Sequence, residues 1–389
     1  MRVILVNRAS TYTQPGGDTV QFENTYKYLL KLGVTVDKAI GIEDLNKKLS
    51  KYRYDIVHIF NIQTFHESLL FLRLAKAKNK KVVLSPIFWD LSASVVANIL
   101  TKMKLPLYIG KVLPKTIIYN LYLWLKKKGY KEAIKELIEF SDMILPNSWE
   151  ELKIISNFSG INFKILKAKS IKVPNATFDD SEQCDNLFDI DDKTRELENL
   201  ITSLKKQGYK VIAEVARISP EKNQDSLIKA LFDYKDISIL LVGPYSNEKY
   251  ALLVNKLARK RGNVFLTGPV NQNLLKTIYQ NIDAHVLPSF RESPGLSSLE
   301  AGKFGIPIVV SKYAPVKEYF GENAIACDPF SLKSIKQSVL KALWNFKGTE
   351  SLAKQVSKFR WDLAAKVTLE AYKIVLNLNN STNILYHQE

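Results

Sequence analysis

Cysteine is nearly absent from this chain of 389 residues, because Cys184 and Cys327 are the only two. Two cysteines so far apart in sequence provide neither a disulfide framework nor a zinc site. Long apolar runs are also lacking: no stretch of about 18 apolar residues occurs, which excludes a transmembrane helix. The first residues, MRVILVNRAS, do not contain the apolar core of a signal peptide. We therefore expect a cytoplasmic protein.

Acidic residues are too few to balance the basic ones, since 56 lysines and arginines face 39 aspartates and glutamates, a net charge of +17. The excess lies in the first half: residues 1–175 carry 28 basic and 14 acidic side chains, whereas the rest carries 28 and 25. Such a basic segment favours a polyanion, an anionic membrane surface or a phosphorylated ligand. A lysine-rich solvated surface is the alternative. We expect no nucleic-acid partner, because no recognised nucleic-acid-binding motif occurs.

Short apolar runs alternate with segments of helical periodicity along the whole chain, which predicts parallel sheets covered by helices on both faces. The predicted strands are 2–6, 55–60, 81–85, 143–146, 211–216, 237–242, 264–267, 284–288 and 307–311. Two such sets of strands predict an α/β fold with two doubly wound domains.

An acidic stretch that is poor in strand signals, TFDDSEQCDNLFDIDDKTRELENL, separates the two sets. It divides the chain into a first domain at 1–176 and a linker with the start of the second domain at 177–204. The second domain then covers 205–360, and a C-terminal helix with its tail covers 361–389.

The strongest motif is RESPGLSSLEA at 291–301, which follows a predicted strand and opens a helix at about Leu296. Pro294 and Gly295 allow a tight backbone turn. The free amides of Gly295, Leu296 and Ser297 then lie at a helix N-terminus, which favours a phosphate group.

Two glutamates bracket this turn. Glu292 precedes the helix, near any group attached to the phosphate, and Glu300 lies about one turn inside it. A carboxylate there can accept hydrogen bonds from two hydroxyl groups. The motif therefore predicts a phosphate flanked by two carboxylates that bind polyols; a surface helix with two unrelated glutamates is the alternative.

A second motif, EVARISPEKN at 214–223, follows the strand 211–216. It places Arg217 and Lys222 at the carboxyl end of that strand, where ligands bind in open α/β sheets. Both cations can neutralise a diphosphate leaving group, arginine as a fork and lysine as a point charge. Two solvated loop cations are the alternative.

A third motif is PGGD, in which Gly16 and Gly17 follow the first strand and its loop. Glycines there allow close approach of a ligand to the backbone, and the next helix begins at this point. It is neither the G-x-G-x-x-G dinucleotide fingerprint nor a Walker A sequence.

These three motifs, in this order, resemble glycosyltransferase family 4, the retaining sugar-nucleotide transferases of the GT-B fold. Further segments fit the same family: SDMILPNS at 141–148, VPN at 173–175, LVGP at 241–244, GPV at 268–270, IDAHVLPS at 282–289 and AGKFGIP at 301–307. The resemblance implies two Rossmann-like domains that face each other across a cleft, with the C-terminal helix crossing back to the first domain.

The resemblance also implies roles for single residues. Glu300 would hold the nucleotide ribose, and Glu292 would face the donor sugar hydroxyls. Arg217 and Lys222 would bind the diphosphate, so that neither a metal nor another cofactor is expected. The remaining donor-binding candidates share backbone approach to the nucleotide: Gly16, Gly17, Gly268, Pro269, Val270, Gly295, Leu296 and Ser297.

The chain departs from the family pattern on the acceptor side. Trp89 stands where members often carry a histidine, and neighbouring Asp90 is the candidate for the acceptor-side catalytic role. The segment Asp189-Ile-Asp191 matches the metal motif of the other large transferase fold, but it lies in the acidic linker and not after a strand. We interpret it as coincidence.

The acceptor is inferred from residues 101–135, which hold nine lysines and one glutamate among leucine, isoleucine, tyrosine and tryptophan. Such a mixture suits the headgroup layer of an anionic membrane, as on the inner face of a cell membrane. A helix with a solvated lysine face is the alternative. The expected function is transfer of a sugar from a nucleotide-diphosphate sugar to a glycan or lipid-linked glycan in surface polysaccharide or glycoconjugate assembly. A sugar-nucleotide epimerase and a catalytically silent GT-B subunit are the other hypotheses.

Overall fold

The computed structural model describes residues 1–126, 129–177, 192–293 and 295–377. The strands are β1 (Arg2–Asn7), β2 (Thr35–Ile40), β3 (Ile56–Phe60), β4 (Lys81–Ser85), β5 (Met143–Ile144), β6 (Lys210–Val215), β7 (Ile237–Val242), β8 (Val264–Gly268), β9 (Ala284–Leu287), β10 (Ile308–Ser311) and β11 (Ile325–Cys327).

Helices alternate with these strands. They are α1 (Gly17–Lys31), α2 (Gly41–Lys51), α3 (Phe65–Ala77), α4 (Ser92–Lys102), α5 (Lys115–Lys126), α6 (Tyr130–Phe140), α7 (Trp149–Ser159), α8 (Phe163–Ala168), α9 (Asp192–Lys206), α10 (Gln224–Ala230), α11 (Glu248–Arg261), α12 (Gln272–Asn281), α13 (Leu296–Lys303), α14 (Val316–Phe320), α15 (Leu332–Trp344), α16 (Thr349–Val356) and α17 (Trp361–Val375). Within the described ranges, none of them has both the length and the hydropathy that spanning a bilayer requires.

The described residues form two compact units. The first contains 1–88, 129–175 and 360–377, and the second contains 89–126, 176–177, 192–293 and 295–359.

The first unit is built on a five-stranded sheet in the order β2-β1-β3-β4-β5. Its paired strands are all parallel. Every residue of β3 is buried, as expected for a parallel strand that helices cover on both faces. The C-terminal helix α17 packs on α1 in this unit.

A buried polar contact ties α17 to this sheet. His58 Nδ1 lies 2.6 Å from the Tyr372 hydroxyl, and His58 Nε2 lies 2.9 Å from the Ser85 hydroxyl. Burial lowers the pKa of His58 to about 3, so the ring is neutral at pH 7. A neutral imidazole that shares both nitrogens with hydroxyl groups is a satisfied core residue.

The second unit is built on a six-stranded parallel sheet in the order β11-β10-β9-β6-β7-β8. Helix α9 packs on it through Leu197, Ile201 and Leu204, which are buried among the core residues of the sheet. The predicted α/β class with two doubly wound sheets is confirmed.

The domain limits differ from the sequence analysis in one place. Residues 89–126 were assigned to the first domain within 1–176, but they group with the second unit. The physical reason is that α4 buries its apolar face against Phe290 and Phe330 of that unit. Within the expected linker 177–204, the described residues 192–204 belong to α9, while 178–191 lie outside the described residues. Residues 360–377 group with the first unit, to which the C-terminal helix had also been assigned.

Candidate active site

The candidate site of the second unit lies at the point where its strand order reverses. The first strand of this sheet, β6, has β7 on one side and β9 on the other. In open parallel sheets, ligands bind at the carboxyl ends of the strands that flank such a point. Arg217 and Lys222 follow β6, and Glu292 and Gly295 follow β9, so the fold brings the two strongest motifs to one sheet edge.

Lys222 and Glu292 form an ion pair between Nζ and Oε1. Their side chains are only 20% and 10% exposed, so water screens the attraction less than at an open surface. The sequence analysis placed both residues at the donor but did not predict that they pair. A donor diphosphate that binds Lys222 therefore has to share this cation with a carboxylate.

The guanidinium of Arg217 has no ion pair or hydrogen-bond partner among residues 1–126, 129–177, 192–293 and 295–377. The residue is partly exposed at the end of β6. A guanidinium in this position is available to an anionic ligand.

Gly295 immediately precedes α13 and has a φ of +88°, a left-handed conformation that favours glycine. A Cβ at this position would lie 3.4 Å from Glu292 Oε2, so the carboxylate lies close to the start of the helix. The amides of Leu296 and Ser297 open the helix, and the next two amides bond to the Gly295 carbonyl oxygen at 3.0 and 3.2 Å. The first two amides are therefore donors for an anion. Pro294 lies outside the described residues.

Glu300 lies one turn into α13 and is partly exposed. The Tyr279 hydroxyl donates to its Oε2 at 3.1 Å. Burial of the carboxyl group raises the pKa of Glu300 to about 7, and the hydrogen bond from Tyr279 opposes this shift. The side chain is thus poised between an acid and a carboxylate at neutral pH, and as a carboxylate it can accept from two neighbouring hydroxyls.

The candidate base-binding segment lies further along the same sheet edge. Strand β8 ends at Gly268, whose φ is +68° and whose carbonyl oxygen accepts from the Gly243 amide at 3.0 Å. Pro269 and Val270 follow, and Val270 packs against the core of the unit. The segment is thereby fixed beside the turn that follows β7.

Asn223 holds the loop of residues 216–223, a role that the sequence analysis missed. Its φ is +70°, and its side-chain amide donates to the carbonyl oxygens of Pro288 and Pro329, at 3.1 and 2.9 Å. These carbonyls follow β9 and β11, so one side chain ties the cation-bearing loop to the segments that follow two other strands of the sheet. Asparagine tolerates a left-handed backbone better than most residues do, so an asparagine at the end of this loop is the signal that the sequence offers.

Gly16 and Gly17 lie in the first unit, in the loop between β1 and α1. Arg8, which the sequence analysis did not single out, organises that loop: it binds both carboxylate oxygens of Asp18, at 2.7 and 3.2 Å, and the Gln14 carbonyl at 2.7 Å. Burial works to raise the pKa of Asp18, but Arg8 and Asn61 outweigh it and hold the pKa below its ordinary value. The carboxylate is therefore ionised, and the glycine loop is fixed at the reversal point between β1 and β3.

On the acceptor side, the exposed Asp90 accepts hydrogen bonds from the amide and the hydroxyl of Ser92, both at 2.8 Å. Leu91 is the N-cap of α4, so these two bonds hold Asp90 against the first residue of that helix. Trp89 is 3% exposed, and its Nε1 donates to the Tyr313 carbonyl at 2.6 Å. Trp89 therefore anchors the chain within the second unit, and the catalytic role of Asp90 stays a prediction.

Within the part of the chain that the structure describes, no group of three or more histidine, cysteine, aspartate or glutamate side chains is placed to hold a metal ion. Asp189 and Asp191 lie outside that part. The metal-free interpretation therefore stays a prediction.

Comparisons with known proteins bear on these observations. Residues 198–359 match the family described as Glycosyl transferases group 1. An uncharacterized glycosyltransferase of Methanocaldococcus jannaschii is 31% identical over 203 residues, which are 49% of this chain and 52% of that protein. The O-antigen chain mannosyltransferase B of Escherichia coli is 26% identical over 179 residues, 43% of this chain and 46% of that protein. The chain thus spans about half the length of these curated relatives.

Solved structures match the whole fold. Sucrose-phosphate synthase from Thermosynechococcus elongatus has a TM-score of 0.72 at 14% identity, covering 97% of this chain and 100% of its own. HepE from Anabaena, solved in complex with UDP and glucose, has a TM-score of 0.64 at 15% identity, covering 97% and 99%. At this identity the likeness establishes the GT-B fold alone, and it confirms the fold class.

Proposed function

We propose that the protein moves a sugar from a nucleotide-diphosphate sugar to a hydroxyl group of a glycan acceptor, because residues 198–359 match the family described as Glycosyl transferases group 1. The observation that carries this proposal is the convergence at one strand reversal of Lys222, Arg217, the first amides of α13 and the carboxylate of Glu292. Cations and amides suit a diphosphate, and carboxylates suit the hydroxyls on either side of it.

The proposed transfer retains configuration and uses no metal. The bond between the anomeric carbon and the diphosphate breaks, and negative charge grows on the leaving oxygen. Arg217, Lys222 and the α13 amides stabilise that charge. The acceptor oxygen bonds to the anomeric carbon from the side that the diphosphate leaves, and the departing phosphate takes the acceptor proton.

The names of relatives and neighbours support a sugar-nucleotide donor and a role in polysaccharide assembly. HepE was solved with UDP and glucose, and the Escherichia coli relative is named as a mannosyltransferase of the O-antigen chain. We therefore place mannosyl and glucosyl nucleotides first among the donors to test.

A panel of nucleoside diphosphates and sugar nucleotides tests the donor. A ligand that binds only the folded state raises the melting temperature, so UDP, GDP and their glucosyl and mannosyl esters are compared by thermal shift. We expect one nucleotide to stabilise the protein by several degrees, and its sugar ester to be consumed when a glycan extract is added. Formation of an isomeric sugar nucleotide without any acceptor would support an epimerase instead. Stabilisation without consumption would support a silent subunit.

We also propose a lipid-linked acceptor, and with it a peripheral position on the cytoplasmic face of a membrane. The support comes from residues 103–125, here called the hairpin surface. Its apolar side chains are unusually exposed: Met103, Leu105, Tyr108, Val112, Ile117, Leu121, Trp124 and Leu125 are 39–84% exposed. Single exposed apolar residues are ordinary, but eight in one short segment are not.

The charges beside the hairpin surface fit an anionic layer. Lys102, Lys104 and Lys111 are exposed, and no acidic residue occurs from 91 to 131. Each lysine near an anionic bilayer contributes about 1 kcal/mol, and the exposed apolar side chains add their burial in the headgroup layer. Lys127 and Lys128, which the sequence analysis included, lie outside the described residues.

We expect the protein to co-sediment with anionic liposomes at low salt, to be partly released at high salt, and to bind neutral liposomes much less. Changing Lys102, Lys104 and Lys111 together to glutamate should abolish binding while nucleotide affinity is kept. Changing Val112, Leu121 and Trp124 to serine should weaken binding at both salt concentrations.

The matched control carries the same charge change at Lys205, Lys206 and Lys256, which are exposed elsewhere on the second unit. If this control loses binding as completely as the hairpin variant, the attraction is a property of net charge and not of the hairpin surface. A wild-type protein that ignores anionic liposomes at low salt points to a soluble acceptor.

A further inference from the structure

Glu214 is a fully buried carboxyl group that has no role in the proposed transfer. It lies in β6, the strand that leads to Arg217, and its exposed fraction is 0%. Its Oε2 has no hydrogen-bond partner among the residues that the structure describes. A carboxylic acid in the interior of a sheet is costly unless it is neutral or paired, so its presence beneath a ligand site calls for a physical reason.

The partner of Glu214 is Gln224, the first residue of α10, which is also fully buried. The Gln224 Nε2 donates to Glu214 Oε1 at 2.8 Å and to the Arg217 carbonyl oxygen at 3.1 Å. The Gln224 Oε1 accepts from the Ser219 amide at 3.3 Å. One side chain therefore closes the loop 216–223 onto the strand before it.

The loop that these bonds close carries both candidate diphosphate cations, Arg217 and Lys222. Asn223 holds its far end to the carbonyls of Pro288 and Pro329. At the near end, Gln224 binds the Arg217 carbonyl oxygen and the Ser219 amide, and between them the Ser246 hydroxyl donates to the Ile218 carbonyl oxygen at 3.2 Å. The Glu214–Gln224 pair and Asn223 thus hold the loop from its two sides.

The charge state of Glu214 also matters for Lys222. Burial raises the pKa of Glu214 well above its ordinary value; Lys222 opposes this, while Glu292 and Asp225 add to it. A neutral Glu214 does not compete for Lys222, whose charge then interacts with Glu292 and with the donor diphosphate. An ionised Glu214 would compete with the diphosphate for the same cation.

We propose that the Glu214–Gln224 pair is a positioning element that holds the loop 216–223 so that Arg217 and Lys222 face the donor diphosphate. The effect of the pair on donor binding rests on the proposed function. Its physical basis, the closure of the loop, is independent of the reaction. Neither residue touches the donor; both act through the loop.

Four variants test the pair: Glu214→Gln, Glu214→Leu, Gln224→Leu and the double leucine variant. Amide hydrogen exchange of residues 216–223 reads loop closure, and calorimetry with UDP and GDP reads its consequence. We expect each leucine variant to speed exchange in the loop and to weaken nucleotide binding about tenfold, the effect of losing a buried hydrogen bond. The double variant should be no worse than either single one, because both remove the same closure.

Glu214→Gln is the conservative control, since a glutamine keeps the shape and neutrality of the acid and its acceptor oxygen. We expect the amide exchange rate of its loop and its nucleotide affinity to lie within about twofold of the wild type. If Glu214 only filled space, leucine would be the better replacement. Thermal melts report whether each variant is folded.

The outcomes separate the two proposals. Unchanged exchange in folded Glu214→Leu and Gln224→Leu proteins would overturn the positioning role. Faster exchange with unchanged nucleotide affinity would overturn its link to the donor. If the wild type binds neither UDP nor GDP, the donor proposal fails with it, while exchange still decides whether the pair closes the loop.

Discussion

Replacing Lys222 by alanine is expected to lower turnover of the sugar nucleotide at least about a hundredfold, and Arg217→Ala should do the same, the scale of removing one donor to a developing oxyanion. In the proposed reaction both cations face a diphosphate whose charge grows as the sugar leaves, so they would stabilise the transition state more than the bound donor. Steady-state kinetics should therefore show a larger loss in kcat than in nucleotide affinity. Lys222→Ala also leaves the buried Glu292 carboxylate without its cation.

Lys210→Ala is the matched control for these variants. Lys210 lies at the opposite end of the same strand β6 and pairs with Asp283 at 3.2 Å. Its removal breaks a lysine–carboxylate pair of the same sheet, with side chains 41% and 21% exposed, without touching the site, so turnover should stay close to that of the wild type. Equal losses in the control and in Lys222→Ala would assign the effect to the stability of the sheet. Activity that disappears in EDTA and returns with manganese would overturn the metal-free mechanism.

The core of the fold could be predicted because its strands are buried on both faces. The strands β3 and β7 are apolar apart from His58 and Ser238, and every residue in them is buried. The strands β2 and β11 were not predicted, and both are sheet edges. An edge strand carries charged residues or is very short, as Asp37 and Lys38 in β2 and the three residues of β11 illustrate.

The grouping of residues 89–126 with the second unit could not be predicted from the sequence. The periodicity of α4 shows which face is apolar but not which surface covers that face. The covering residues, Phe290 and Phe330, lie about two hundred positions further along the chain. Long-range polar contacts have the same limit: the sequence indicated that Lys222 and Glu292 both belong to the donor site, and only the fold shows that they bind each other.

Glu300→Gln is expected to weaken nucleoside diphosphate binding about tenfold at pH 8 and to remove the part of the pH dependence of binding that Glu300 contributes. The pKa of Glu300 is raised to about 7 from an ordinary 4.5, chiefly by burial. Only the carboxylate offers all its lone pairs to two ribose hydroxyls, and hydrogen bonds to a charged group are the stronger ones. Affinity of the wild type for UDP or GDP should therefore rise from pH 6 to pH 8 relative to the variant, as calorimetry at each pH would measure.

The stability of the protein without nucleotide should change in the opposite direction. A carboxyl group whose pKa is raised in the folded state contributes stability that is complete below about 4.5 and is lost as the pH rises through about 7. Across that window the melting temperature of the wild type should fall relative to Glu300→Gln, and saturating nucleotide should reduce the difference. The control Glu248→Gln, an exposed change in the first turn of α11, should show neither effect. The nucleotide's own phosphates titrate equally with both proteins. If nucleotide affinity therefore changes with pH in the same way for the wild type and for Glu300→Gln, Glu300 does not belong to the nucleotide site.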